Sequence, residues 1–186
     1  MIVLDADSGA FKRMWGAFGN VPLDEPPRKP GDPKPTAPLS EEGPGSPQFL
    51  TVHGLGVSHD GLVYVADRSN RRIQVFTLDG KFVTQAFIYR KGPSDRSVGG
   101  IAFSPDRSQQ FMFLADYGNS RIVVVNRTTL EVVDSFGSRG SHAGDFRGLH
   151  NVAADSKGNL YTAEVQPGRR AQKFVFKGMS TAATRN

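Results

Sequence analysis

The chain has 186 residues, of which 38% are hydrophobic, and a formal net charge of +5 at pH 7. This size and apolar content predict a folded core. No apolar run is long enough for a transmembrane helix or membrane insertion. The absence of cysteine excludes disulfides and thiolate metal sites. Because the basic residues are interspersed with acidic ones and form no long run, nucleic acid is a disfavoured partner.

Residues 1–19 are predicted to form two short strands, because Met1–Gly16 aligns with Ile122–Gly137 farther along the chain. That alignment makes the segment a half-blade, which consists of the two outer strands of a four-stranded unit. The first residues lack the basic and long apolar stretches of a signal peptide. The compartment therefore stays open, and a secreted or periplasmic parent protein is one alternative.

Residues 20–48 interrupt this pattern and contain nine of the twelve prolines. Such a composition predicts an extended, irregular loop with no core of its own. The loop joins the outer strand of one unit to the inner strand of the next, so we expect it on the face where the inner strands begin. A functional lid and a merely tolerated insertion are both compatible with a long loop at that place.

Residues 49–88, 89–137 and 138–178 are three copies of one unit, and a tail follows at 179–186. Matched positions recur at intervals of 49 residues, with one acidic residue a single position short of register. Short strands with a period of about 40 to 50 residues are typical of a β-propeller blade. The matched residues are Arg72, Arg121 and Arg170, together with Asp67, Asp116 and the offset Glu164.

Each copy is predicted to be an antiparallel sheet of short strands with tight turns. The Asp-Gly pairs at 60–61 and 79–80 indicate hairpins. The continuous apolar run Ile122–Val125 predicts a strand that is buried on both faces, as in a blade between two others. The predicted strands are 53–58, 62–66, 72–77 and 81–88, then 100–104, 111–115, 121–126 and 131–136, and finally 150–154, 159–163 and 171–176.

These elements predict an all-β propeller of about three and a half four-stranded blades. The chain opens with a half-blade, and its third full copy has no evident fourth strand. We therefore expect it to be the C-terminal part of a longer, six-bladed propeller. Exposed strand edges in such an open array invite pairing, which predicts self-association.

The repeated unit Asp-x-x-Asn-x-Arg-Ile/Val resembles the NHL repeat. The resemblance covers nearly the whole chain apart from 20–48 and 179–186, and it implies the propeller fold. It leaves function open, because NHL propellers include scaffolds, RNA binders and enzymes. The repeated Asp and Arg are expected to be structural partners. The matching residues are Asp67, Asn70, Arg72, Asp116, Asn119 and Arg121, with Gly144-Asp145-Phe146 as the Gly-x-Phe that precedes a blade.

Two histidines, His53 and His150, occupy the same position in the first and third copies, at the start of the innermost strand. The second copy has Gly100 at that position. Innermost strands line the channel, so we expect both imidazoles to point toward the axis from alternate blades. An open array nevertheless allows them to lie farther apart than one zinc ion can bridge.

This arrangement resembles the propeller lyase of peptidylglycine alpha-amidating enzymes, the peptidylamidoglycolate lyase, in which three histidines from alternate blades hold a catalytic zinc. The resemblance implies that His53 and His150 bind metal and that Arg68 binds a substrate carboxylate. It also implies that the third ligand and the catalytic tyrosine lie outside this chain. Tyr117 looks locally similar to that tyrosine but belongs to the wrong blade.

The resemblance therefore favours a zinc-dependent lyase as the intact parent, with a small carboxylate or peptide substrate. By this interpretation the chain alone is inactive, because two imidazoles without a third ligand make a weak zinc site. The alternative is a non-enzymatic NHL propeller that binds a peptide or protein partner on its loop face.

Overall fold

The computed structural model describes residues 1–23, 42–92 and 97–178. In these ranges the chain forms thirteen strands in four antiparallel sheets, and the only helical segments are 3-10 turns at Ala17–Gly19 and Arg68–Asn70. None of the helical segments in this part of the chain has the length and apolar character needed to span a bilayer. The predicted all-β architecture is confirmed.

The first sheet contains the two strands that the sequence predicts in residues 1–19. Strand β1 (Ile2–Leu4) pairs antiparallel with β2 (Phe11–Met14), and the Trp15 amide extends the ladder by donating to the Met1 carbonyl at 3.0 Å. One face of this sheet, with Val3 and Trp15, packs against the next sheet.

The other three sheets are antiparallel and follow one another in chain order. We name them blades 1, 2 and 3. Every strand lies within two residues of its predicted bounds. Blade 1 contains β3 (Val52–Val57), β4 (Leu62–Asp67), β5 (Arg72–Thr77) and β6 (Phe82–Phe87); blade 2 contains β7 (Ile101–Phe103), β8 (Phe111–Asp116), β9 (Arg121–Asn126) and β10 (Val132–Phe136); blade 3 contains β11 (Leu149–Ala154), β12 (Leu160–Glu164) and β13 (Ala171–Phe174).

The core consists of apolar layers between successive sheets rather than one central cluster. Trp15 and Phe76 contribute to the layer between the first sheet and blade 1, Met112 and Leu114 to the layer between blades 1 and 2, and Phe146 to the layer between blades 2 and 3. Each blade therefore buries both of its faces only when it has a neighbour on each side, as β-propeller blades do.

A buried polar cluster fixes the loop between the second and third strands of blade 1. The Asp67–Arg72 ion pair, at 3.0 Å, has both side chains fully buried. Asn70 also donates to the Asp67 carboxylate, at 2.7 Å, and the backbone amides of Leu50 and Thr51 donate to its other oxygen. The cluster therefore holds the start of the inner strand against the loop.

Blade 3 has a related cluster around a glutamate, with Gln172 and no asparagine among its donors in the described part of the chain. Glu164 accepts hydrogen bonds from Arg170 Nε at 2.6 Å and from the Arg147 amide at 2.6 Å. Burial alone would raise the pKa of Glu164, but these bonds and one from Gln172 outweigh it and lower the pKa. The carboxylate is therefore ionised at neutral pH, as a charged partner of Arg170.

Candidate functional site

Glycines bring the inner strands of the three blades unusually close together. The Gly100 amide, just before β7, donates to the His150 carbonyl at 3.3 Å. A Cβ atom on Gly100 would lie 2.9 Å from the Asn151 Cα atom, and a Cβ atom on Gly54 would lie 2.7 Å from the Gly99 carbonyl oxygen. Real side chains do not fit at such distances, so these positions require glycine.

The close approach lets two histidines from alternate blades meet. His53 lies in β3 of blade 1 and His150 in β11 of blade 3. Their Nε2 atoms are 3.1 Å apart, and the ring centroids are 4.4 Å apart with an interplanar angle of 65°. An open array allows a long or a short distance between the two imidazoles, and the structure has the short one. Blade 2 has glycine at the equivalent position, and its backbone lies against the strands that carry both histidines.

The His53 imidazole is neutral at physiological pH. Burial lowers its pKa to about 4, and the positive charge of Arg68 and the neighbouring His150 act in the same direction. The Nδ1 atom of His53 is buried and has no hydrogen-bond partner. Since a buried N–H without an acceptor is costly, we assign the proton to Nε2, which then donates to His150 Nε2.

Arg68 and Tyr117 follow β4 and β8 at the same repeat position and flank the histidine pair. Arg68 is close enough for its charge to affect the pKa of His53. The Tyr117 ring meets the His150 ring edge-on, with centroids 6.4 Å apart. Sequence reasoning set Tyr117 aside as a residue of the wrong blade. Its 49-residue offset from Arg68 was the signal that could have placed it here.

The described end of the proline-rich loop lies over the outer strands of blade 1. The Pro44 carbonyl accepts hydrogen bonds from Arg72 Nη1 at 3.4 Å and from Gln85 Nε2 at 2.8 Å. Arg90 donates to the Gly43 carbonyl at 2.8 Å. Residues 24–41 lie outside the described residues, so a lid over the histidines stays a prediction.

Within residues 1–23, 42–92 and 97–178, no group of three or more His, Cys, Asp or Glu side chains is arranged to hold a metal ion. The histidine pair therefore offers two nitrogen ligands from this part of the chain. Zinc binding by His53 and His150, and carboxylate binding by Arg68, stay predictions.

Comparison with known proteins supports the fold and the repeat type. Residues 49–76 match the NHL repeat. The chain is similar to U3-55K, with a TM-score of 0.56, 16% identity, and coverage of 94% of this chain and 45% of that one. The fold is a β-propeller, with an NHL repeat at residues 49–76. This confirms the propeller that the period predicts, while the closer resemblance to peptidylamidoglycolate lyase stays a prediction.

Other similar proteins differ widely in kind. Protein lin-41 of Caenorhabditis elegans is 40% identical over 47 residues, which are 25% of this chain and 4% of that protein. A virginiamycin B lyase from Staphylococcus aureus in complex with quinupristin has a TM-score of 0.49 and 14% identity, over 72% of this chain and 44% of that one. The chain thus spans less than half the length of each of these proteins. Their activities and partners do not carry over to it.

Proposed function

We propose that the histidine pair is part of a divalent-metal site on the propeller axis, with zinc as the preferred ion. The 3.1 Å separation of the His53 and His150 Nε2 atoms carries this proposal. Two nitrogen ligands at about 2.0 to 2.1 Å from a tetrahedral zinc ion lie about 3.3 Å apart. A small outward movement of either ring would therefore accommodate the ion.

The electrostatics of the pair also suit a metal ligand. Metal binding requires neutral imidazoles, and the lowered pKa of His53 keeps protons from competing near neutral pH. One feature acts against affinity. Ligation through Nε2 moves the His53 proton to Nδ1, which is buried and has no acceptor, at a cost of roughly 1 to 3 kcal/mol. Weak binding by this chain follows from that cost and from the small number of ligands.

Arg68 supplies the chemistry that a carboxylate-bearing ligand would need. A guanidinium group binds a carboxylate through paired, charge-assisted hydrogen bonds. Its charge lies near His53, so a small carboxylate held by Arg68 would be close to the imidazoles. When bound, the ion would supply Lewis-acid polarisation of a hydroxyl or carbonyl oxygen. This chain's residues would hold and orient the substrate, as in the lyase-type activity that we propose for the intact parent.

A second candidate is peptide or protein binding on the loop face. The observation in its favour is the apolar surface of β3, the innermost strand of blade 1, on which Val52, Leu55 and Val57 are each 44% exposed or more. Apolar side chains on a channel wall suit a peptide partner better than a hydrated metal ion. The two candidates predict different responses to zinc.

Calorimetric titration of the 186-residue chain with zinc tests the metal site. We expect His53→Ala and His150→Ala each to weaken binding at least tenfold, or about 1.4 kcal/mol. The control is His59→Ala, which changes an exposed histidine in the turn after β3 and should leave binding unchanged. Wild-type affinity equal to that of both pair variants would overturn the metal site and leave the peptide-binding candidate.

A carboxylate probe tests the role of Arg68. We expect N-acetylglycine to increase the zinc affinity of the wild-type chain and to have no such effect in Arg68→Ala, which should retain its affinity for zinc alone. An equal increase in the two proteins would contradict carboxylate binding by Arg68.

A further inference from the structure

A polar cleft lies between blades 1 and 2, at the opposite end of the strands from the histidine pair. It is formed by the β3–β4 turn, the β7–β8 loop and the β9–β10 turn, and it has a volume of about 420 Å³. We call it the turn cleft. Blade 1 packs between the first sheet and blade 2, and blade 2 packs between blades 1 and 3. The turn cleft is therefore not a sheet face that lacks a neighbour.

A buried arginine anchors the turn cleft. Arg127 is only 9% exposed. Its Nη1 atom donates to both carboxylate oxygens of Asp60 at 3.0 Å and to the Tyr64 hydroxyl at 2.9 Å, and its other nitrogens donate to two carbonyls of the β7–β8 loop. The same repeat position in blade 1 holds Leu78, which is 52% exposed. The blade fold therefore does not require a buried arginine at this position.

The β7–β8 loop is longer than its counterparts and is fixed against blade 1. It has seven residues, against four between β3 and β4 and five between β11 and β12. Gln109 adopts a left-handed backbone conformation with a φ of 48°, where the shorter turn of blade 1 has Gly61. That conformation is unfavourable for a residue with a Cβ atom. The Gln109 side chain accepts a hydrogen bond from the His59 amide at 2.7 Å, so this wall of the cleft is preorganised.

The lining indicates the class of ligand. Every side chain that lines the turn cleft is polar or charged, which disfavours an aliphatic or aromatic ligand. Two guanidinium groups and one carboxylate leave one net positive charge. Hydrogen bonds from Ser58 and Arg127 lower the pKa of Asp60, so this carboxylate is ionised at neutral pH. Arg107 is exposed and belongs to none of the ion pairs among the described residues.

We propose that the turn cleft binds a small polyhydroxylated monoanion of the sugar-acid class. Arg107 would pair with the carboxylate of the ligand, whose charge balances that of the lining. The ring hydroxyls would donate to Asp60 and accept from Asn126 Nδ2. Asn126 Oδ1 already accepts hydrogen bonds from the Thr128 and Thr129 amides at 3.0 and 3.1 Å, which leaves Nδ2 for a ligand. The volume is sufficient for one sugar ring with bridging waters.

Backbone amide NMR of the 186-residue chain, titrated with glucuronate, tests this site. We expect shifts confined to residues 58–61, 104–110 and 126–130, with a dissociation constant on the order of 1 mM. Acetate carries the charge without the ring hydroxyls, and glucose carries the hydroxyls without the charge. Each should bind at least fivefold more weakly than glucuronate. Arg107→Ala should bind glucuronate no more tightly than glucose, because the group that pairs with the carboxylate is gone.

The matched control is Lys157→Ala, which removes an exposed cation from the equivalent turn of blade 3 and should leave binding unchanged. The absence of shifts at about 20 mM glucuronate would overturn the proposal. An equal affinity for acetate would overturn it in favour of a simple anion site, and an equal loss in Lys157→Ala would overturn it in favour of unspecific attraction. The turn cleft does not depend on the metal site. Binding of glucuronate should persist in His53→Ala, so failure of either proposal is recognised separately.

Discussion

Blade 1 places two ionisable residues near the same loop, and their surroundings differ sharply. The Asp67 carboxylate is surrounded by donors, because Arg72, Asn70 and two backbone amides all reach it. His53, near the start of the adjacent strand, has His150 as its hydrogen-bond partner, and its Nδ1 atom has none. In the folded chain both oxygens of the Asp67 carboxylate accept hydrogen bonds, whereas only one of the two ring nitrogens of His53 has a partner.

This difference separates a structural cluster from a candidate site. Buried polar groups in proteins are almost always paired, and a fully satisfied network rigidifies the fold. A buried nitrogen without a partner reduces stability, so the His53 Nδ1 atom does not contribute to holding the fold. By this criterion the Asp–Asn–Arg cluster of blade 1 stabilises the blade, while the histidine pair stays a candidate site.

The largest effect is expected from removing the buried carboxylate of blade 1. Asp67→Ala leaves Arg72 charged and fully buried, which should lower the free energy of unfolding by about 3 to 5 kcal/mol. The matched variant is Asp116→Ala in blade 2. It should cost less, because the side chain of its partner Arg121 is 26% exposed and keeps contact with water. Urea unfolding measures both, and equal losses would contradict the assigned difference.

A smaller loss is expected from Gly100→Ala, which tests the spacing between the blades. The new methyl group would lie 2.9 Å from the Asn151 Cα atom and against its side-chain oxygen. Such overpacking should lower stability by about 1 to 3 kcal/mol and move His150 away from His53. Urea unfolding measures the loss of stability, and a crystal structure measures the distance between His53 and His150. Unchanged stability with an unchanged Nε2–Nε2 distance would show that the glycine is not required.

The smallest effect is a dependence of stability on pH that originates at His53. Its pKa is about 4 in the folded chain, against 6.5 for an ordinary histidine. Between these values the unfolded chain binds the extra proton, so this contribution is complete above pH 6.5 and is lost as the pH falls toward 4. His53→Gln should flatten the slope in urea unfolding between pH 4.5 and 7, while the control His59→Gln should not. Equal slopes in both variants would exclude this origin.

The fold could be predicted from the sequence because the repeat is regular in the strands that form the core. The 49-residue interval and the Asp-Gly turns predicted the strands to within two residues. Blade 3 departs from the 49-residue interval at Glu164 and still forms the ion pair. Its loop is one residue longer between Glu164 and Arg170 than the loop between Asp116 and Arg121, and the extra methylene of glutamate spans the difference, with Oε1 2.6 Å from Arg170 Nε.

The site was only partly predictable. Equivalent positions in the repeat identified His53 and His150, but their separation depends on how closely strands of different blades approach. That approach is set by Gly54 and Gly100, whose effect is the absence of a side chain and leaves no hydrophobic pattern to read. The contact between Tyr117 and His150 has a related cause, because repeat position makes Tyr117 equivalent to Arg68 but does not show which ring of the next blade it meets.

The glycines before β7 also bear on how modular this protein is. Repeat proteins are often described as stacks of exchangeable units, in which each repeat contacts only its neighbours. Here two histidines from the first and third units are in direct contact, and the glycine backbone of the second unit lies against both of their strands. Replacing blade 2 with another blade of the same fold would therefore change the site while leaving both histidines in the sequence.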